Sequence, residues 1–153
     1  MTKQQTTVEQ DFIERFGLSA EADGLPRIAG RIMAYLLVGH APIRASDLAS
    51  ELRVSHGSVS TNTRLLERLG IVERVSFSGD RAAYYQLTSD PYGRLLAGQL
   101  ERMRRMQTIV ADARRALPKA SDAGRKNLAE LERFYRIAVR TTEDLLEQLR
   151  ARD

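Results

Sequence analysis

Apolar positions recur along this chain at two periods, and the changes of period mark out its elements. In residues 8–18 (VEQDFIERFGL), Val8, Phe12, Ile13 and Phe16 fall on one side of a short helix with acids on the other. Residues 19–24 read as a break. Leu25 and Pro26 then open a second helix, where proline's missing N–H costs nothing; Ile28, Ile32, Met33 and Leu36 form its inner side and Gly39 ends it. Gly30 lies inside that helix, where it costs about 1 kcal/mol against alanine, and so predicts a close helix crossing. Pro42 and Ile43 bridge to a shorter helix that begins at Ala45 or Ser46, turns Leu48, Ala49 and Leu52 inward and closes at Val54. After a turn over residues 54–57, the stretch 55–70 (SHGSVSTNTRLLERLG) predicts a fourth helix with Val59, Thr63, Leu66 and Leu69 inside.

At Ile71 the pattern shortens. Ile71, Val72, Val75 and Phe77 supply one strand, residues 83–88 with Tyr84, Tyr85 and Leu87 supply its partner, and Ser78, Gly79, Asp80 and Arg81 turn between them. Helical spacing resumes at Asp90 and Pro91, read as cap and first position. Leu96, Leu100, Met103, Met106, Val110, Ala113 and Leu117 carry it to the stop at Pro118. A last helix over residues 121–150 alternates steps of three and four through Leu128, Leu131, Tyr135, Ala138, Thr142, Leu145 and Leu149. Phe134, Ile137 and Leu146 form a second apolar row, which a monomer would leave exposed. At about 1.5 Å per residue each of these helices spans roughly 40 Å. The expected fold is therefore mainly α with a small β-hairpin wing: a winged helix-turn-helix plus long dimerisation helices. Residues 1–24 form an N-terminal helical arm assigned to dimerisation, 25–90 the DNA-binding domain, and 91–153 the long helical dimerisation region.

Within that frame the fourth helix carries the candidate chemistry. Ser58, Ser60, Thr61 and Asn62 are short hydrogen-bonding residues suited to base edges, Asn62 can pair bidentately with adenine, and Arg64 reaches guanine or phosphate. The bland alternative is a solvated helix start capped by Ser55 or Ser58; the surrounding helix, turn, helix and hairpin favour DNA. Arg81 at the hairpin tip suits the minor groove, with Asp80 bracing it, against the alternative of an exposed turn ion pair. His56 is a phosphate donor or simply exposed, and His40 a helix-end residue. Arg102, Arg104, Arg105, Arg114 and Arg115 read as a solvated face ion-paired to the last helix. Phe16, Tyr35, Tyr84 and Tyr92 are candidates to line a small-molecule cavity, with plain core packing as the competing role.

Composition narrows the function classes. The 153 residues carry a net charge of +4, but residues 1–24 hold 2 basic and 5 acidic side chains, which makes the arm a poor DNA contact. Residues 25–90 hold 8 and 6, 91–120 hold 7 and 2, and 121–153 hold 7 and 7. With no cysteine and two histidines, neither a disulfide framework nor a transition-metal site is expected. No phosphate-binding loop, GxGxxG run or nucleophile–base arrangement is present, so neither enzymatic activity nor a cofactor is expected. The start lacks an apolar signal region and no run is long enough to span a bilayer, so a cytoplasmic protein without membrane attachment is expected.

The runs LPRIAGRIMAYLLV, SDLASELRVSHGSVSTNTRLLERLGIVERV and GDRAAYYQL resemble the MarR-type winged-helix regulators, in particular their GbsR-like branch, over residues 24–92. The resemblance implies a homodimer whose two readers bind a pseudo-palindromic double-stranded operator, usually as a repressor. A small-molecule effector releases it by changing the spacing of the readers. By position it puts Ser58, Ser60, Thr61, Asn62 and Arg64 on the DNA-reading helix and Asp80 and Arg81 on the wing. Ala82 stands where many relatives have a second basic residue. Some GbsR-like members sense choline through aromatic residues, which makes a choline-like amine one candidate effector. The alternative from another class is a winged-helix protein-interaction module without sequence-specific DNA binding.

Overall fold

The computed structural model describes residues 7–39, 41–117 and 121–151. The chain forms two compact units, residues 1–91 and 92–153. The roles expected of His40 and Pro118 and the reading of the first six residues lie outside the described residues.

The first unit runs α1 (Thr7–Ala22), α2 (Arg27–Leu37), β1 (Ile43–Arg44), α3 (Ala45–Leu52), α4 (His56–Arg68), β2 (Val72–Val75) and β3 (Tyr84–Leu87). Its single core draws on every element: Ile13 from α1, Ile32 and Leu36 from α2, Leu48 and Leu52 from α3, Val59 and Leu66 from α4, and Ile71, Val72 and Tyr85 around the hairpin. Thr63 is also fully buried, and its hydroxyl donates to the Val59 carbonyl at 2.9 Å, which removes the cost of placing it there.

Helix α1 continues through residues 19–22, where the sequence predicted a break. Its last turns lie against α2: a Cβ on Gly30 would stand 2.5 Å from the Ala20 Cβ and 3.1 Å from the Gly17 Cα. The small residues Gly17 and Ala20 thus face Gly30, the predicted close crossing, and packing holds the helix together past Ser19. The same helix pair carries charge across the contact, for Glu14 accepts from Arg27 at 2.8 Å and lies 2.7 Å from the Arg31 Nε. Arg31 also donates to the Leu52 carbonyl at 2.8 Å, at the end of α3. Pro26 sits at the cap of α2, one place earlier than predicted.

The sheet has three antiparallel strands in the order β1-β3-β2, so the hairpin partner β3 is central. Strand β1 is the addition to the predicted fold. Ile43, expected only to bridge, is buried opposite Tyr85, and Arg44 pairs with Tyr84. Two residues are too few to show a period.

The second unit holds most of α5 (Pro91–Ala116) and all of α6 (Asp122–Arg150), whose Ser121 cap accepts from the Gly124 N–H at 3.1 Å. Its core is small: Leu100, Val139 and Leu146, with Leu96, Ala97 and Met103 packed on them. Leu146, assigned to the exposed row, is buried, whereas Leu145 of the predicted seam is exposed. A straight helix of 3.6 residues per turn drifts by about 20° per heptad, so the inner row steps from Thr142 to Leu146. Arg104 donates to Glu143 at 2.6 Å, and Arg114 pairs with Glu132, as the basic face of α5 led us to expect. Among the described residues no helix is long and apolar enough to cross a membrane.

Candidate nucleic-acid interface

The turn from α3 into α4 is built by two backbone devices. Arg53 adopts the left-handed conformation at φ 52° and ψ 47°, and Val54 donates to the Ala49 carbonyl at 3.0 Å, which reverses the chain. Ser55 then caps α4, accepting from the Ser58 N–H at 3.1 Å, which settles which serine caps.

From that start the helix divides into three rows. Val59, Thr63 and Leu66 face the core. Ser60, Thr61 and Arg64 are exposed, with His56 and Gly57 before them and Arg68 one turn beyond. Ser58 is half-buried, its hydroxyl accepting from that of Ser55 at 3.0 Å. Asn62 corrects the expectation that all the short polar residues face outward. It is 8% exposed and its amide donates to the Ser58 carbonyl at 2.8 Å, so its donor group serves the helix backbone. It lies one residue from Thr63 in the buried row, and the helical period carries it inward. Arg68 stands four residues beyond Arg64, one turn along the same helix, and is exposed.

At the wing the expected Asp80–Arg81 brace is replaced by another. One oxygen of Asp80 accepts from the Ala82 N–H at 2.8 Å, and the other accepts from the Tyr84 hydroxyl at 2.8 Å and pairs with Arg44. Arg44 donates from Nε to the Tyr84 hydroxyl at 2.6 Å and lies 5.4 Å from the centre of that ring. Phe77 meets the same ring edge-on, with centroids 4.8 Å apart. These contacts show in the protonation preferences. The Ala82 N–H, then the Tyr84 hydroxyl and Arg44, hold the Asp80 carboxyl below its ordinary value, while the bonds to Tyr84 and Asp80 push the Arg44 guanidinium up. Arg81 is exposed, with no hydrogen bond or ion pair to its side chain among the described residues.

The four aromatic residues proposed for a ligand cavity have separate places. Tyr35 is 2% exposed in the core, and Phe16 packs against that core and on Phe12. Tyr84 belongs to the wing network, and Tyr92 is 54% exposed near the start of α5. A cavity in the first unit is lined instead by Gln10, Ile13, Glu14, Arg31, Leu52 and Arg53 together with Glu51.

Comparison with known proteins gives concordant results. The model of the MarR family matches residues 23–83. The HTH-type transcriptional regulator MmpR5 of Mycobacterium tuberculosis is 33% identical over 140 residues, which cover 89% of this chain and 83% of that protein. A crystal structure of a transcriptional regulator matches with a TM-score of 0.77 at 28% identity, over 92% of this chain and 97% of that one.

Proposed function

This chain belongs to the MarR family, and on that footing we propose how it acts as a DNA-binding transcriptional regulator. Helix α4 enters a major groove and offers Ser60, Thr61 and Arg64 to base edges, with Ser58 at the margin. Arg81 of the wing reaches the minor groove alongside. The observation that carries this reading is the row Ser60, Thr61 and Arg64, exposed on a helix whose opposite side is locked into the core by Val59, Thr63 and Leu66. Short polar side chains on a fixed frame hold their hydrogen-bonding groups in one place at little entropic cost.

The protein acts as a homodimer on a pseudo-palindromic operator in the cytoplasm, represses, and lets go when a small molecule binds. Dimerisation is supported by the apolar side chains that α6 leaves in water, among them Phe134 at 58% and Ile137 at 53% exposed. Two symmetric readers require half-sites about one helical turn, roughly 34 Å, apart. Within the family we place the chain in the GbsR-like branch, on its residues 24–92. The aromatic set Phe16, Tyr35, Tyr84 and Tyr92 is not retained as the effector site, because three of the four are engaged elsewhere.

The test is a gel shift on the DNA upstream of the protein's own gene with random DNA as competitor, repeated across salt concentrations. Preference for one footprint, weakening steeply with salt, is expected. Binding without sequence preference would sink this reading in favour of a protein-interaction module. Arg64→Ala is expected to reduce operator affinity by about ten- to a hundredfold, more than it reduces binding to random DNA.

A further inference from the structure

We infer that Arg44, which belongs to neither the reader helix nor the hairpin, is the residue that positions the wing arginine Arg81 on DNA. The inference rests on the DNA-binding reading above and adds to it a residue that acts without touching the nucleic acid. Arg44 is the second residue of β1 and the last before α3, so the helix-turn-helix fixes its backbone. From there its side chain reaches the hairpin tip, 36 residues further along the chain, where it meets the Asp80 carboxylate, and the Tyr84 hydroxyl at 2.6 Å.

The consequence for Arg81 follows from what Asp80 does next. Its carboxylate accepts from the Ala82 N–H at 2.8 Å and from the Tyr84 hydroxyl at 2.8 Å. The residues immediately before and after Arg81 are therefore tied together, and the tie is anchored through Arg44 to the strand that leads into α3. Phe77, edge-on to Tyr84, holds the other arm of the tip to the same ring. The strand pairing ends at Val75 and Tyr84, and the tip beyond it carries Gly79 at φ +81°. Without the Arg44 anchor only the Asp80 bonds to Ala82 and Tyr84 would restrain the tip, and the direction in which Arg81 leaves the sheet would be held less closely. With it, Arg81 keeps a guanidinium unengaged among the described residues on a fixed tip, whereas Arg44 has its Nε and an Nη engaged within the protein.

A position effect and a direct phosphate contact differ in how they combine with loss of Arg81. The experiment is a double-mutant cycle of Arg44→Met and Arg81→Ala in the full-length protein. Affinity is measured by fluorescence anisotropy, across salt concentrations, on a duplex recovered from random DNA by selection with the wild-type protein. Each single variant is expected to bind about five- to tenfold more weakly. The double variant should bind within about twofold of Arg81→Ala alone and with the same salt slope, because Arg44 has nothing left to position. Multiplying losses, with a slope reduced by a further ~0.9 per phosphate, would show Arg44 contacting DNA itself and overturn the inference. An Arg44→Met protein that binds like wild type would overturn it too. Should Arg44→Met fail to fold, the same cycle is run with Tyr84→Phe, which removes only the shared hydroxyl and carries the same expectations. If the wild-type protein selects no sequence from random DNA, the DNA-binding reading falls and takes this inference with it. If it selects one and the cycle is multiplicative, only the inference falls.

Discussion

The two units of this chain bury their apolar side chains to very different degrees, although both are largely helical. In the first unit, elements from α1 to β3 share one core in which Ile32, Leu48, Leu52, Val59, Leu66 and Ile71 are at most 1% exposed. In the second, two helices of 26 and 29 residues meet around Leu100, Val139 and Leu146, while Leu131, Phe134, Ile137 and Leu145 remain in water. A short element can be completed by neighbours from its own chain. Two long helices bury one stripe each and leave the rest, so the second unit carries a run of uncovered apolar side chains along α6 that its small core does not use. The difference separates a unit closed around its own core from one that leaves much of its apolar surface uncovered.

The largest expected effect tests the first half of that comparison. Leu66→Ala removes a fully buried side chain beneath the reader row and should lower stability by about 3–4 kcal/mol in chemical denaturation. Leu146→Ala, in the smaller core and 7% exposed, should cost no more than about half as much. Equal losses would show that the second unit is as completely packed as the first. Next in size, Phe134→Glu combined with Ile137→Glu should leave helix content unchanged by circular dichroism. It should also weaken self-association by about a hundredfold or more in analytical ultracentrifugation, since two charges would be buried in an apolar contact. Unchanged association would place the dimer contact elsewhere.

The sequence made the elements legible where a period persists over several turns. The apolar spacing of α2, α4, α5 and α6 placed all four, and the serine, proline and glycine punctuation set their ends to within two residues. Reading failed where tertiary contact decides. No local pattern makes Ile43 and Arg44 a strand; only pairing with Tyr84 and Tyr85 does. The same gap hid Arg44 from the candidate site, because its partners lie 36 and 40 residues away. Asn62 looked outward by chemical type and is inward by helical period, a conflict the buried Thr63 beside it could have resolved. The reach of Asp80 to Arg44 across the sheet, past its own neighbour Arg81, follows from side-chain geometry that residue order does not encode.

A smaller effect is expected at the α1–α2 crossing. Gly30→Ala would put a Cβ 2.5 Å from the Ala20 Cβ and 3.1 Å from the Gly17 Cα, and neither neighbour is a flexible chain end that can swing away. Helix propensity favours the substitution by about 1 kcal/mol, while the overlap should cost about 1–3 kcal/mol, so a net loss of about 1 kcal/mol is expected. Ala20→Gly in the same protein should restore part of it. A Gly30→Ala protein more stable than wild type would show that α1 yields easily, and would weaken the case for counting the arm within the well-packed unit.

The smallest effect concerns Tyr35, and it reads out the solidity of that same core from a single proton. Burial, and then the carboxylates of Glu51, Asp47 and Glu9, push its phenol up to about 12 from an ordinary value of 10.0. Both causes disfavour the tyrosinate, so the folded protein holds this proton over a range in which the unfolded chain releases it. The stability linked to Tyr35 is therefore fully present below pH 10 and is lost as pH rises through about 12. Ultraviolet titration should show a tyrosinate step near pH 12 that Tyr35→Phe removes, and the substitution should also flatten the fall in stability between pH 10 and 12. If the step instead appears near 10, water and hydroxide reach the phenol, and the first unit is more open than its packing implies. Because the carboxylates lie on α1 and α3, a lowered step after Glu51→Gln would further separate the electrostatic cause from burial, which that substitution leaves in place.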